Sequence, residues 1–179
     1  MSETLATASQ QAEAAVLELH KKFLKETRPE PVLAPFNEAA IQRFEALKFP
    51  HRKHEMYTYV NTRDLVATAF SLPKGHTVDA DFVKSHVYAG CEKSHLTLVD
   101  GVWDPEHSDL RALGSALKVG SLAEAAADPA VQEYLQRTIE NENDVFASIN
   151  SAFMKQGLVL ELEPGTRLEI PFQILQVST

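Results

Sequence analysis

The stretch Gly157-Leu158-Val159-Leu160-Glu161-Leu162-Glu163-Pro164-Gly165, continued through Leu168-Glu169-Ile170-Pro171-Phe172-Gln173-Ile174-Leu175-Gln176-Val177, decides the fold. Its hydrophobic period is two, with Leu158, Leu160 and Leu162 alternating with Val159, Glu161 and Glu163, which predicts a strand. Pro164-Gly165 turns the chain into a second strand through Leu168, Ile170 and Phe172, extended by Ile174-Leu175-Gln176-Val177. The 179-residue sequence then ends at Thr179 with no partner strand in view. Natural chains cover such an apolar strand. The expectation is therefore a chain that continues into a larger β structure, or that self-associates through its terminal strands.

Upstream the period changes to that of helices. Ala12, Val16, Leu19 and Phe23 share one stripe of an amphipathic helix over 9–27, with Glu13, Glu18, Lys21 and Lys25 elsewhere. Arg28-Pro29-Glu30-Pro31 ends it, because each proline removes an amide donor and biases its predecessor toward extended geometry. Asn37 has the side chain of an N-cap, and Phe36 with Ile41 would form a hydrophobic staple over it, followed by an apolar face of Ile41, Phe44 and Leu47. Pro50 closes that helix. Thr62 is the cap of a short helix carrying Leu65, Ala69 and Phe70, before a turn at Pro73-Lys74-Gly75.

Asp100-Gly101 lies between His95-Leu96-Thr97-Leu98-Val99 and Val102-Trp103, the signature of a two-residue type I′ hairpin. Ser121 with Glu124 forms a capping box, and Asp128-Pro129 opens a helix bearing Val131, Leu135 and Ile139. A further helical turn or two runs from Asp144 to Phe153. The fold class expected is α+β in three regions: an N-terminal helical region over 1–94, a hairpin with helices over 95–153, and an opening β core over 154–179.

Hydrophobic residues make up 44% of the chain and charged ones 23%, an ordinary globular balance. The net charge of −8 opposes broad attraction to nucleic-acid phosphates or an anionic lipid surface, so neither partner is expected. Met1-Ser2-Glu3-Thr4-Leu5 lacks a basic leader followed by an apolar core, and no apolar run approaches the roughly 20 residues that span a bilayer. The cytoplasm is the expected compartment. The single cysteine, Cys91, suits a reducing environment and cannot by itself hold a cluster.

Several residues invite chemistry. His86, Cys91 and His95 carry metal-ligating side chains at spacings of five and four; the plainer reading is a loop cysteine with surface histidines, since Gly90 and the strand pattern argue against a helix. His51, Arg52, Lys53, His54 and Glu55 form a possible acid–base cluster, but a helix-ending junction with Tyr57 and Tyr59 buried explains them more simply. Pro73-Lys74-Gly75-His76-Thr77 echoes a phosphate loop without its glycine spacing, and no G-x-S-x-G elbow occurs. Trp103 fits packing across the hairpin better than a binding hot spot. Burial within its own domain likewise explains the first helix better than a partner helix. No catalytic, cofactor or metal residue is assigned.

Phe49-Pro50-His51-Arg52-Lys53-His54-Glu55-Met56-Tyr57-Thr58-Tyr59, the Val99-Asp100-Gly101 hairpin, and the passage from Asn150-Ser151-Ala152-Phe153 into Leu168-Glu169-Ile170-Pro171-Phe172 occur in an order that resembles the SufB/SufD family of iron–sulfur cluster assembly. Arg52-Lys53-His54-Glu55 followed by aromatics leans toward the SufD branch, although Met56-Tyr57-Thr58-Tyr59 stands where that branch commonly has Asp/Glu-Trp-Lys-Tyr. The resemblance implies an N-terminal portion leading into a right-handed parallel β-helix, with Leu158 to Val177 as its first strands. It also implies a non-enzymatic scaffold that pairs with SufB and binds the ATPase SufC. None of the residues that grip those partners transfers to this sequence. Two other functions compete: a β-helix carbohydrate-active enzyme, for which Glu161, Glu163 and Glu169 are the carboxylates on offer, and a small metal-binding module using His86, Cys91 and His95.

Overall fold

A computed structural model describes residues 2–50, 57–72, 75, 77–140 and 143–179, with side chains from residue 8 onward. The chain forms two compact units, Met1–Leu72 with Ala126–Lys155, and Pro73–Ala125 with Gln156–Thr179. The architecture is mixed α+β, as the sequence predicts.

The first unit is helical. Helix α1 runs Ser2–Thr27, starting earlier than its apolar stripe suggests. Val16 and Phe23 are buried and Ala12 and Leu19 half-buried, so the stripe faces inward as expected. Arg28 ends the helix at φ 48°, just ahead of Pro29. Helix α2, Ala34–Leu47, then buries Ala40, Ile41 and Phe44.

Asn37 is not the cap of α2. The helix starts three residues earlier, because Pro35 sits in its first turn, where its missing N–H costs nothing. Asn37 therefore lies inside α2, where its backbone N–H donates to Leu33 O at 3.0 Å. Its side chain is fully buried and donates to Ser151 O at 3.0 Å and Met154 O at 2.9 Å. Those carbonyls lie at and just past the end of the helix over Val145–Ala152, so Asn37 caps another helix's C-terminus.

Helix α3, Arg63–Ala67, follows Thr62, whose side chain makes no capping bond; Asn61 Oδ1 accepts from Arg63 N instead, at 3.2 Å. Ala69 and Phe70 fall beyond the helix, which is shorter than the sequence predicts, and Leu65 and Phe70 are exposed. Val66 is the residue of this segment that packs inward. In the same unit, α6 (Pro129–Glu140) buries Ile139 and half-buries Val131 and Leu135. Asp128 caps it through Ala130 N at 2.8 Å. Helix α7 (Val145–Ala152) is capped by Asp144, which accepts from Phe146 N at 2.7 Å and Ala147 N at 3.1 Å. Val16, Ala40, Ile41, Phe44, Phe49, Ile139, Val145 and Ala152 form the core of this unit.

The second unit opens with α4, Ala80–His86, capped by Asp79. Strands β1 (His95–Val99) and β2 (Val102–Asp109) pair antiparallel around Asp100 and Gly101. Both turn residues have positive φ, 49° and 81°, as a type I′ turn requires. The register moves from Thr97↔Asp104 to His95↔Asp109, so β2 spends five positions where β1 spends two and bulges outward. Strand β3, Lys118–Ser121, has no counterpart among the sequence expectations. Ser121 Oγ accepts from Glu124 N at 3.1 Å and donates to Glu124 Oε2 at 2.9 Å, holding α5 (Leu122–Ala125) in the manner of the predicted capping box.

The deciding stretch folds differently in detail. Strand β4, Leu158–Glu161, pairs antiparallel with β3, and Leu160 and Leu162 are exposed rather than inward. Leu168–Phe172 is not a strand; β5 is Gln173–Val177. Pro171 explains the late start, since it has no N–H for a ladder. The terminal strand also has a partner: β5 lies parallel to β1, from His95↔Gln173 to Val99↔Val177, giving the order β2-β1-β5. Among the described residues β4 and β5 thus belong to different sheets, and no solenoid coil is formed.

Candidate functional site

Three residues proposed from sequence as metal ligands fall in the second unit, each already committed to a backbone group. His86, at the exposed end of α4, places Nδ1 2.8 Å from Phe82 O, with its ring 4.4 Å from that of Phe82. Cys91 is buried, its Sγ 3.7 Å from Pro171 O. His95 directs Nδ1 to Cys91 O at 2.9 Å. Among the described residues no three His, Cys, Asp or Glu side chains converge to hold a metal. The metal-module reading thus loses its geometric basis.

What the segment around Cys91 does is join strands. Ser94 Oγ donates to Pro171 O at 2.7 Å, and Gln173 N donates to Ser94 O at 3.0 Å. Gln173, nearly buried, donates from Nε2 to His86 O at 2.9 Å and accepts from Tyr88 N at 2.8 Å. One amide side chain therefore satisfies a backbone acceptor and a backbone donor in the loop from α4 to β1. At the other end of the sheet, Asp100 N donates to Val177 O at 2.8 Å. Asp100 also accepts from Thr179 N at 3.0 Å and from its hydroxyl at 2.8 Å. Asp100 is thus both the turn residue of the hairpin and the anchor of the chain leaving β5, a role its sequence signal does not carry.

Asp104, His107 and Ser108 bring the residue types of a hydrolytic triad into the bulge of β2, but their bonding is structural. Ser108 Oγ gives its proton to Asp104 O at 2.6 Å and accepts from Thr97 N at 2.9 Å and Trp103 Nε1 at 3.3 Å. Asp104 accepts from Glu106 N, His107 N and His107 Nδ1, the last at 2.7 Å. The serine is held as an acceptor inside the bulge rather than aligned on an imidazole. Trp103 is half-buried, and its indole N–H stays within the hairpin on Ser108. Nearby, the Arg111 guanidinium bonds the Asp109 carboxylate and holds its pKa down at about 2.

The carboxylates weighed for carbohydrate chemistry lie apart from any pocket described. Glu161 and Glu163 both approach Lys118 Nζ, at 3.7 and 3.0 Å, on the exposed side of the β3–β4 pair, and Glu169 is exposed. Of the proposed acid–base cluster, His51 to Glu55 lie outside the described residues, as do Pro73, Lys74 and His76 of the phosphate-loop echo. Tyr57, which follows the cluster, is half-buried, its ring 5.9 Å from that of Phe146 and its hydroxyl donating to Asp144 at 2.5 Å. Tyr59, predicted to bury its ring, is 99% exposed. A small, mostly apolar pocket in the first unit is lined by Ala12, Ala15, Val16, Phe49, Val66 and Phe70 among others.

The structure therefore defines a protein whose polar side chains chiefly tie loops, helix ends and strand ends together. The model of the SufBD protein N-terminal region matches residues 9–174, and the chain belongs to that family. A curated relative, the iron–sulfur cluster assembly SufBD family protein of Synechocystis sp. (strain ATCC 27184 / PCC 6803 / Kazusa), is 25% identical over 146 residues. That alignment takes in 80% of this chain and 32% of the relative, so the chain spans about a third of the relative's length. No helix among the described residues is long and apolar enough to cross a membrane.

Proposed function

We propose that this chain is the N-terminal region of a SufD-like scaffold in iron–sulfur cluster assembly, acting without enzymatic chemistry of its own in the cytoplasm. The observation that carries the reading is the family match across residues 9–174. The name of the Synechocystis relative, which places that protein in cluster assembly, agrees with it. In this reading the remainder of the protein is a right-handed parallel β-helix that pairs with SufB, and a more distant helical part engages SufC. The parallel pairing of β5 on β1 supports that continuation, because a solenoid propagates through parallel strand contacts. The SufD branch, rather than SufB, is favoured by Arg52-Lys53-His54-Glu55 and the tyrosines that follow.

The test is reconstitution. The protein carrying this region at the length of its relatives is mixed with SufB and SufC and passed over a sizing column. A stoichiometric complex is the expected result. Failure of that protein to associate with either partner refutes the scaffold reading. A stable complex of SufC with the 179-residue chain alone refutes the division of labour proposed here.

A further inference from the structure

Helix α1 carries one buried group that can change charge near neutral pH. His20 is 4% exposed, on the same face as Val16 and Phe23. Its ring is 6.1 Å from Phe23 and meets Phe153, just past α7, edge-on at 5.5 Å. Phe23 and Phe153 are themselves 5.4 Å apart, so the imidazole completes an aromatic cluster of three. Its Nε2 is buried without a hydrogen-bond partner.

We infer that His20 is a proton-operated latch: neutral, it packs α1 against the end of α7; protonated, it releases the C-terminal half of α1 and uncovers Val16 and Phe23. A cation in that place has an apolar ring on two sides, and the Ala152 backbone is the acceptor that offsets only part of its lost hydration. Burial pushes the His20 pKa below its ordinary 6.5, while the Ala152 backbone and the charge of Glu38 on α2 act in the opposite direction. Glu38 is exposed, so solvent weakens its pull. Helix α7 has no titratable side chain in its sequence, and the charged residues of α3, Arg63 and Asp64, are exposed. Because the folded pKa is depressed, neutral His20 contributes its full packing above the free value. The latch weakens as pH falls below 6.5, about tenfold for each unit separating the two pKa values.

The test is amide hydrogen exchange of the 179-residue chain at pH 7.5 and 5.5, corrected for intrinsic rates, with H20F as comparison. Peptides covering Val16 to Thr27 should lose protection on acidification relative to peptides covering Ala40 to Phe44, and H20F should remove most of that loss. An equal loss in H20F, or none in the wild type, overturns the proposal. Should H20F fail to fold, H20Q serves as the second non-titrating variant. A proton NMR titration placing His20 at or above 6.5 in the wild type overturns the latch independently.

Discussion

Asn37 offers the sharpest test of how the helical unit is held together, because one side chain completes the end of a helix more than a hundred residues away. Its Nδ2 divides two donated protons between Ser151 O and Met154 O, at 3.0 and 2.9 Å. In N37A the Met154 carbonyl loses this donor at a site that water reaches poorly, while Ser151 O keeps the Met154 amide, at 3.3 Å. Each bond is worth about 1 kcal/mol net, and a buried acceptor left without a donor costs about 1–3 kcal/mol. Against this, Asn37 Oδ1 is itself buried without a partner, so its removal returns part of the loss. The expected destabilisation is about 2–4 kcal/mol, a fall in Tm of roughly 5–15 °C for a chain of this size.

N37D distinguishes donated hydrogen bonds from mere packing. Its carboxylate would face two carbonyl oxygens with no proton to give, so at pH 7 it should be less stable than N37A despite filling the space better. Protonation supplies one donor. The carboxyl's folded pKa must then lie above the unfolded value of about 3.9, so N37D should gain stability relative to N37A as pH falls through the folded pKa. Comparing the two variants at each pH cancels His20, which both contain. The assay is urea unfolding followed by circular dichroism at 222 nm from pH 7.5 to 4. A loss below about 0.5 kcal/mol in N37A, or parallel pH profiles for the two variants, refutes the capping role.

Three further outcomes are expected. Q173L should remove the bonds to His86 O and Tyr88 N and cost about 2–3 kcal/mol, with the Tyr88 amide becoming the fastest-exchanging amide between α4 and β1 by NMR. R111Q should return the Asp109 carboxyl from about 2 toward 3.8 in a carbon-13 titration; in the wild type the stabilisation from this pair is present above pH 3.8 and disappears as pH falls toward 2. G157A should place its Cβ 2.9 Å from Leu122 Cδ2 and 3.2 Å from Leu122 Cβ, costing about 1–3 kcal/mol in thermal unfolding, with partial recovery in the double variant G157A/L122A.

Features governed by neighbouring residues were legible in the sequence. The type I′ turn at Asp100-Gly101, the cap of α6 at Asp128 and the inward stripe of α1 each depend on one or two turns of chain. The family was legible as well, because its signal is an order of segments along the chain, and the match over residues 9–174 agrees with that order. The candidate metal site failed because spacing alone says nothing about where side chains point. His86, Cys91 and His95 each turn toward a backbone carbonyl, respectively that of Phe82, Pro171 and Cys91.

Two other departures share a different cause, a contact between residues far apart in sequence. Asn37 has the side chain of an N-cap and stands two residues after Pro35, so local logic gives it to α2. Pro35 instead starts that helix upstream and leaves Asn37's donors for α7. The closing strand has no partner among adjacent segments, and a hairpin is the pairing that short-range sequence encodes. Its actual partner, β1, precedes it by some eighty residues and runs parallel, an arrangement that needs a long crossover connection. Pro171 joins the two levels. By lacking an N–H it delays β5 to Gln173, and by keeping its carbonyl it receives the Ser94 hydroxyl that helps fix where β5 meets β1.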